Sequence, residues 1–290
     1  MDSTPTSVRV SANGLSLHAR EWNPQGSPTL LFLHGWMDHG HGWDWVIEAL
    51  SADYRAIALD FRGHGRSGHL GEGAHYHYTD YLIDVDCTLD ALGLSRVHLA
   101  GHSMGGAVAC GYAVARPDRV LSLSLVENLG TLGGAPDDSV RRLRLFVDEG
   151  RRPSRKRTYA TLEEAVARVR ENNPGLSPES ALHLTRHGTR QVDGGLRFVV
   201  DPRIRAGGGM GFDEEQLLAM FGEIRCPVQV IFGTRSHFVL PDDVRDRRTA
   251  KLRAFTRGHA LDGGHHVHMD HPREVAALLE RFVSAPPRGS

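Results

Sequence analysis

The run Val97-His98-Leu99-Ala100-Gly101-His102-Ser103-Met104-Gly105-Gly106-Ala107-Val108-Ala109 passes from an apolar strand pattern into a helix of small residues, with Gly-x-Ser-x-Gly at the join. A turn this sharp forces its central residue into strained backbone geometry, and the glycines two places either side prevent clashes. It lifts Ser103 Oγ above the edge of a sheet and points the Met104 N–H, at a helix N-terminus, toward the same spot. Gly-x-Ser-x-Gly arises often by chance. A strand before it, a helix after it and small residues where the two meet single this copy out, and mark Ser103 as a candidate nucleophile.

Working outward, the apolar runs Thr29–Leu33, Arg55–Leu59, Val97–Ala100, Leu121–Val126 and Val228–Phe232 are bounded by turn residues. They read as strands buried on both faces, as in a parallel sheet covered by helices. Ser7–Val10 and Leu15–Glu21 alternate around Ala12-Asn13-Gly14, a hairpin signal. Between strands lie helical faces, Trp45/Val46/Ala49/Leu50 and Tyr81/Leu82/Val85/Leu89/Leu92, and a last helix begins at Pro272. Strand–helix alternation predicts right-handed crossovers and an α/β architecture.

From about Leu129 to Gly222 the rhythm changes to amphipathic pieces, Ser139–Glu149, Leu162–Asn172 and Pro178–Gly188. This predicts a core of residues 1–128 and 224–290 with a helical cap, 129–223, inserted between two core strands. The basic run Arg151–Arg157 falls inside the cap. With a formal net charge of −1 it reads as a solvated loop rather than a nucleic-acid patch; its other reading is attraction of anionic substrates.

An acyl-transfer site needs two donors on the developing oxyanion, and losing one costs roughly 3–4 kcal/mol. His34-Gly35-Trp36 follows the strand Thr29–Leu33, so the backbone amides of Trp36 and Met104 are the predicted pair; on its own, His34-Gly35 is an ordinary tight turn. A general base must also reach Ser103. Of His259, His265, His266, His268 and His271, the choice falls on His265, after Asp262-Gly263-Gly264 and seven residues before Pro272, with His266 its nearest competitor.

The acid is less regular. Its usual place is three residues beyond the glycine that ends Val228–Phe232, and here that residue is Ser236. Glu127, directly after the strand Leu121–Val126, would aim its carboxylate at the same rim and is preferred. Asp242 and Asp243 read as complements to a helix N-terminus.

The 18 histidines include the pairs His39/His41 and His75/His77, but neither His-Glu-x-x-His nor a clear carboxylate set completes a metal site in the sequence. None is predicted. Cys87, Cys110 and Cys226 are too few and too scattered for a disulfide framework. No apolar run approaches the roughly 18 residues of a membrane span, and Met1–Val10 lacks a secretory pattern. A soluble cytoplasmic protein is expected, acting on a small-molecule acyl substrate, with neither nucleic acid nor membrane as partner; the oligomeric state is open.

Together, His34-Gly35-Trp36, Asp60-Phe61-Arg62-Gly63-His64-Gly65-Arg66-Ser67, Gly101–Gly106 and Gly264-His265 resemble the α/β-hydrolase superfamily. His34-Gly35-Trp36-Met37-Asp38, Asp201-Pro202-Arg203 and Gly264-His265-His266-Val267-His268-Met269 are most similar to the serine hydrolase-like proteins. The resemblance implies a capped serine hydrolase that needs no cofactor. Superfamily members such as the haloalkane dehalogenases carry an acid after the sixth strand, which Glu127 matches, but they and the epoxide hydrolases use an aspartate nucleophile where this chain has Ser103. Carbon–carbon bond hydrolysis and perhydrolysis would use the same residues, and a non-catalytic binder on this fold is a further reading.

Overall fold

A computed structural model describes residues 4–51, 53–131, 133, 137–152, 157–207, 211–237 and 240–284. The strands are β1 (Thr6–Ala12), β2 (Leu15–Trp22), β3 (Thr29–Leu33), β4 (Arg55–Asp60), β5 (Val97–His102), β6 (Val120–Val126), β7 (Thr189–Val192), β8 (Gly195–Phe198), β9 (Val228–Gly233) and β10 (Phe255–Leu261). Eight of them form one sheet in the order β1-β2-β4-β3-β5-β6-β9-β10, while β7 and β8 form a separate hairpin. The pairings β1–β2 and β2–β4 are antiparallel and the rest of the large sheet is parallel.

The helices are α1 (Asp44–Ala49), α2 (Tyr78–Ala91), α3 (Met104–Ala115), α4 (Asp138–Arg151), α5 (Leu162–Asn172), α6 (Pro178–Gly188), α7 (Glu214–Glu223), α8 (Asp242–Lys251), α9 (Val267–Asp270) and α10 (Pro272–Val283). The sheet separates two apolar layers, and the few polar side chains on its central strands pair with one another, Gln229 with Ser124 and His98 with Ser122, each at 2.8 Å. On one face Leu31, Leu33, Leu99 and Leu123 pack with Val85 and Leu89 of α2 and with Val108 and Tyr112 of α3. On the other, Leu30, Phe32, Ala100 and Val126 meet Val46 and Ile47 of α1 and Val275 and Leu279 of α10. No helix among the described residues is long and apolar enough to cross a membrane.

Between β6 and β9 the chain forms α4, α5, α6, the hairpin and α7. Thr161 and Ser177 cap α5 and α6 by accepting the Glu164 and Ser180 amides. The hairpin departs from the all-helical expectation for this stretch. Its signal is present in Gln191-Val192-Asp193-Gly194-Gly195-Leu196, where Asp-Gly joins two short segments. Leu217 and Phe221 of α7 enter the core layer beneath β5 and β6.

Candidate active site

Parallel pairing of β5 with β6 sets His102 opposite Val126, so the next residues, Ser103 and Glu127, leave the sheet side by side. Both have left-handed backbones, with φ of 49° at Ser103 and 54° at Glu127, a conformation that costs a residue with a Cβ on the order of 1 kcal/mol. The Ser103 amide donates to Val126 O at 2.9 Å, and the Glu127 amide to Ile231 O at 2.9 Å. Neighbouring strands thus hold both strained residues.

The glycines of the turn are there for contact. A Cβ on Gly101 would come within 2.5 Å of Gly105 O, and one on Gly105 within 2.2 Å of Leu33 O. α3 can therefore start hard against β3 and β5. Met104 is its first residue, and its N–H is one of those that a helix leaves without an internal acceptor.

The turn after β3 lies against this elbow. A Cβ on Gly35 would sit 2.8 Å from His102 Nδ1 and 3.5 Å from Ser103 Cβ. Three buried side chains from the Asp60–Ser67 segment and the turn itself fix its path. His34 Nδ1–H donates to Gly35 O at 2.7 Å, while His34 Nε2 accepts the Phe61 amide at 3.1 Å. His64 Nε2 accepts the Met37 amide at 3.3 Å. Asp60 takes the Gly40 and Arg66 amides at 2.7 and 3.0 Å. Burial holds His34 below its ordinary value, and burial together with His34 holds His64 well below, so both rings are neutral and keep a lone pair for these amides. Their positioning role was not legible in the sequence, where the segment served only as a resemblance.

His265 stands on the loop between β10 and α9. Its Nδ1 lies 3.1 Å from Glu127 Oε2, and it is His265, not His266, that makes this contact. The carboxylate is nearly sealed off, with side-chain exposure of 1% against 17% for the imidazole. Glu127 Oε1 accepts the Gly233 amide, and Oε2 accepts the hydroxyl of Ser236. Ser236 is not itself a carboxylate, but it hydrogen-bonds the one that meets the histidine. Asp242 and Asp243 open α8, where Asp242 pairs with Arg245 at 2.7 Å. Beneath the loop, His102 Nε2–H donates to His265 O at 2.8 Å and braces it from the side of Ser103.

Ser103, His265, Glu127, Trp36 and Met104 all line one cleft of about 1310 Å³. Trp36 is 53% exposed, so its indole forms wall rather than core. Across the cleft stand Tyr159, Leu184 and Phe198 with Arg152, Arg157, Arg168, Arg197, Arg203 and Arg205. Arg152, Arg168 and Arg203 are paired with Glu149, Glu171 and Asp201.

Residues 28–272 match the α/β hydrolase fold family. A serine hydrolase-like protein of Danio rerio is 31% identical over 279 residues, covering 92% of this chain and 85% of its own. Among solved structures, a hypothetical protein of Pseudomonas aeruginosa superposes with a TM-score of 0.87 at 30% identity, over 96% of this chain and 99% of that one. The thioesterase domain from the curacin biosynthetic pathway gives 0.84 at 27% identity, over 96% and 100%.

Proposed function

Because the chain belongs to the α/β-hydrolase fold family, we propose that it cleaves a carboxylic ester or a related acyl bond through a Ser103–His265–Glu127 triad. The observation that carries this reading is the 3.1 Å contact between His265 and the buried Glu127 carboxylate, in the cleft that Ser103 lines. Ser103 Oγ attacks the carbonyl as His265 Nε2 takes its proton, and Glu127 steadies the imidazolium through Nδ1–H. The amides of Trp36 and Met104 hold the oxyanion. His265 then protonates the leaving alcohol or thiol, and water clears the acyl-enzyme by the reverse proton route. A non-catalytic binder has no use for a sealed carboxylate on this histidine. Residues 129–223 act as the cap, and their lining side chains choose the acyl group.

Hydrolysis of short p-nitrophenyl esters and fluorophosphonate labelling test the proposal. Wild type is expected to turn over and to be labelled on Ser103, and Ser103→Ala to lose both. Neither activity nor labelling in the wild type, with Ser103→Ala indistinguishable from it, overturns it.

A further inference from the structure

Away from Ser103, four metal-ligating side chains meet where α6 crosses the start of α1. His183 and His187 stand four apart on α6 and so share a face. Opposite them are His41, in the 3₁₀ turn Gly40–Trp43, and Asp44, the first residue of α1. One ligand atom from each of the four lies within 4.8 Å of the others. His41 Nδ1 is 2.8 Å from Asp44 Oδ2, and His183 Nε2 is 3.3 Å from the same oxygen. The rings of His41 and His187 stack with centroids 3.8 Å apart and planes inclined by 12°. Arg20 engages the other Asp44 oxygen, which leaves Oδ2 facing the histidines.

We propose that His41, Asp44, His183 and His187 bind a divalent transition-metal ion, zinc in particular, which fastens α6 to the segment that follows Trp36. Three imidazoles and a carboxylate suit a tetrahedral ion of intermediate softness. Bonds of about 2.0–2.1 Å place tetrahedral ligand atoms about 3.4 Å apart. The cluster therefore has to contract by no more than about 1.4 Å, and His187 is solvent-exposed and able to swing inward. Hydrogen bonding to Asp44 accounts for His41 and His183, but not for a third imidazole laid flat on the first. The two halves already touch: His39 Nε2–H donates to Leu184 O and His183 Nε2–H to His41 O, each at 3.0 Å. An ion would turn that contact into a staple between the chain after β3 and the stretch between β6 and β9. Sequence spacing hides the site, because the fold joins a His-x-x-Asp pair to a His-x-x-x-His pair some 140 residues away. A smaller group, Asp38, His102 and His266, lies at the floor of the Ser103 cleft and offers three ligands.

The test is titration of the chelator-stripped full chain with Co²⁺, followed by its visible spectrum, and competition by Zn²⁺. One Co²⁺ per chain with the intense bands of a tetrahedral centre is expected, along with a higher Tm on adding Zn²⁺. Loss of a partner outside the ligand shell costs about 10–100-fold in affinity, so H183Q and H187Q are each expected to weaken Co²⁺ binding more than about 100-fold. D38N and H266Q are expected to leave that binding unchanged. The exposure of His187 makes H187Q a mild change to the fold, which circular dichroism of the metal-free protein verifies. No tetrahedral spectrum in wild type, or one that survives the H183Q/H187Q pair, overturns the proposal. A spectrum abolished only by H266Q assigns the ion to the smaller group and equally overturns it.

Discussion

Glu127 carries the most at the scale of a single residue. Its backbone is strained, its carboxylate is buried, and its two oxygens are shared among Gly233, Ser236 and His265. Such an arrangement is stable because three donors replace the water that the charge gave up. Glu127→Gln keeps the shape but turns an acceptor into a donor facing His265 or Ser236. The expected result is a fall in kcat of about 10³–10⁴-fold with little change in KM, as for the loss of an orienting acid elsewhere. Steady-state kinetics on a p-nitrophenyl ester measures it, and near wild-type activity would mean that another group orients His265. The sequence makes plain that residue 236 is not an acid. It does not reveal that the Ser236 hydroxyl reaches a carboxylate 109 residues away, because that requires β6 and β9 to be neighbours, which only the strand order supplies. Glu127 itself could be singled out, since a carboxylate directly after an apolar strand is conspicuous.

At the level of the element, the elbow between β5 and α3 works through close approach. Gly105→Ala would drive its Cβ to within 2.2 Å of Leu33 O and 2.7 Å of His34 O, backbone atoms at the end of β3 and the start of the Trp36 turn. A stability loss of about 1–3 kcal/mol, the usual range for overpacking, is expected in denaturant melts, with kcat reduced more than 100-fold as the turn is pushed off Ser103. The wall of the cleft formed between β6 and β9 makes a different demand. Arg197, whose Nη2 donates to Thr158 Oγ1 at 2.9 Å, reaches the cleft without a carboxylate partner among the described residues. Arg197→Ala is expected to raise KM about tenfold for an ester with an anionic acyl chain and to leave that of a neutral ester unchanged; equal effects on both would remove the case for anionic substrates. Elements with a strong period or cap were readable from sequence: α5 and α6 begin and end at the residues their patterns indicate. The β7–β8 hairpin was obscured by its length, four residues a strand, too short for alternation to rise above the helical patterns beside it. β10 was obscured by exposure, since an edge strand with Phe255 at 38% lacks the apolar run of its neighbours.

Over the whole molecule, the formal charge of −1 conceals an uneven response to acid, because the histidines are placed so differently. His34, His64, His102 and His268 are each no more than 1% exposed. Burial holds His34 low, and burial reinforced by neighbouring imidazoles holds the other three well below the ordinary value. In the unfolded chain each takes up a proton near pH 6.5. A folded-state value below the unfolded one gives stability that is complete above about pH 6.5 and is lost as the pH falls beneath it, by up to about 1.4 kcal/mol per pH unit for each group. His183 acts in the opposite sense: burial lowers it, but the hydrogen bond to Asp44, the Asp44 charge and the bond to His41 O together raise it by more. The depressed carboxyls Asp44 and Asp60 add little in this window, for their contribution is lost only at about pH 4 and below, where the unfolded carboxyls take up protons that the folded ones refuse. Destabilisation between pH 6.5 and 4.5 therefore belongs to the buried histidines. Unfolding at pH 5.5 is expected to take up at least about three protons, read from the slope of stability against pH or from calorimetry in buffers of different ionisation enthalpy. His268, packed 4.6 Å from the Trp43 ring and 4.3 Å from that of His102, provides the control. His268→Phe keeps an aromatic ring there and is expected to lower the uptake by about one proton, whatever it does to absolute stability. Uptake near zero in the wild type would mean that these rings are already protonated in the folded protein. His64 could not then accept the Met37 amide, and the Trp36 turn would have to be held some other way.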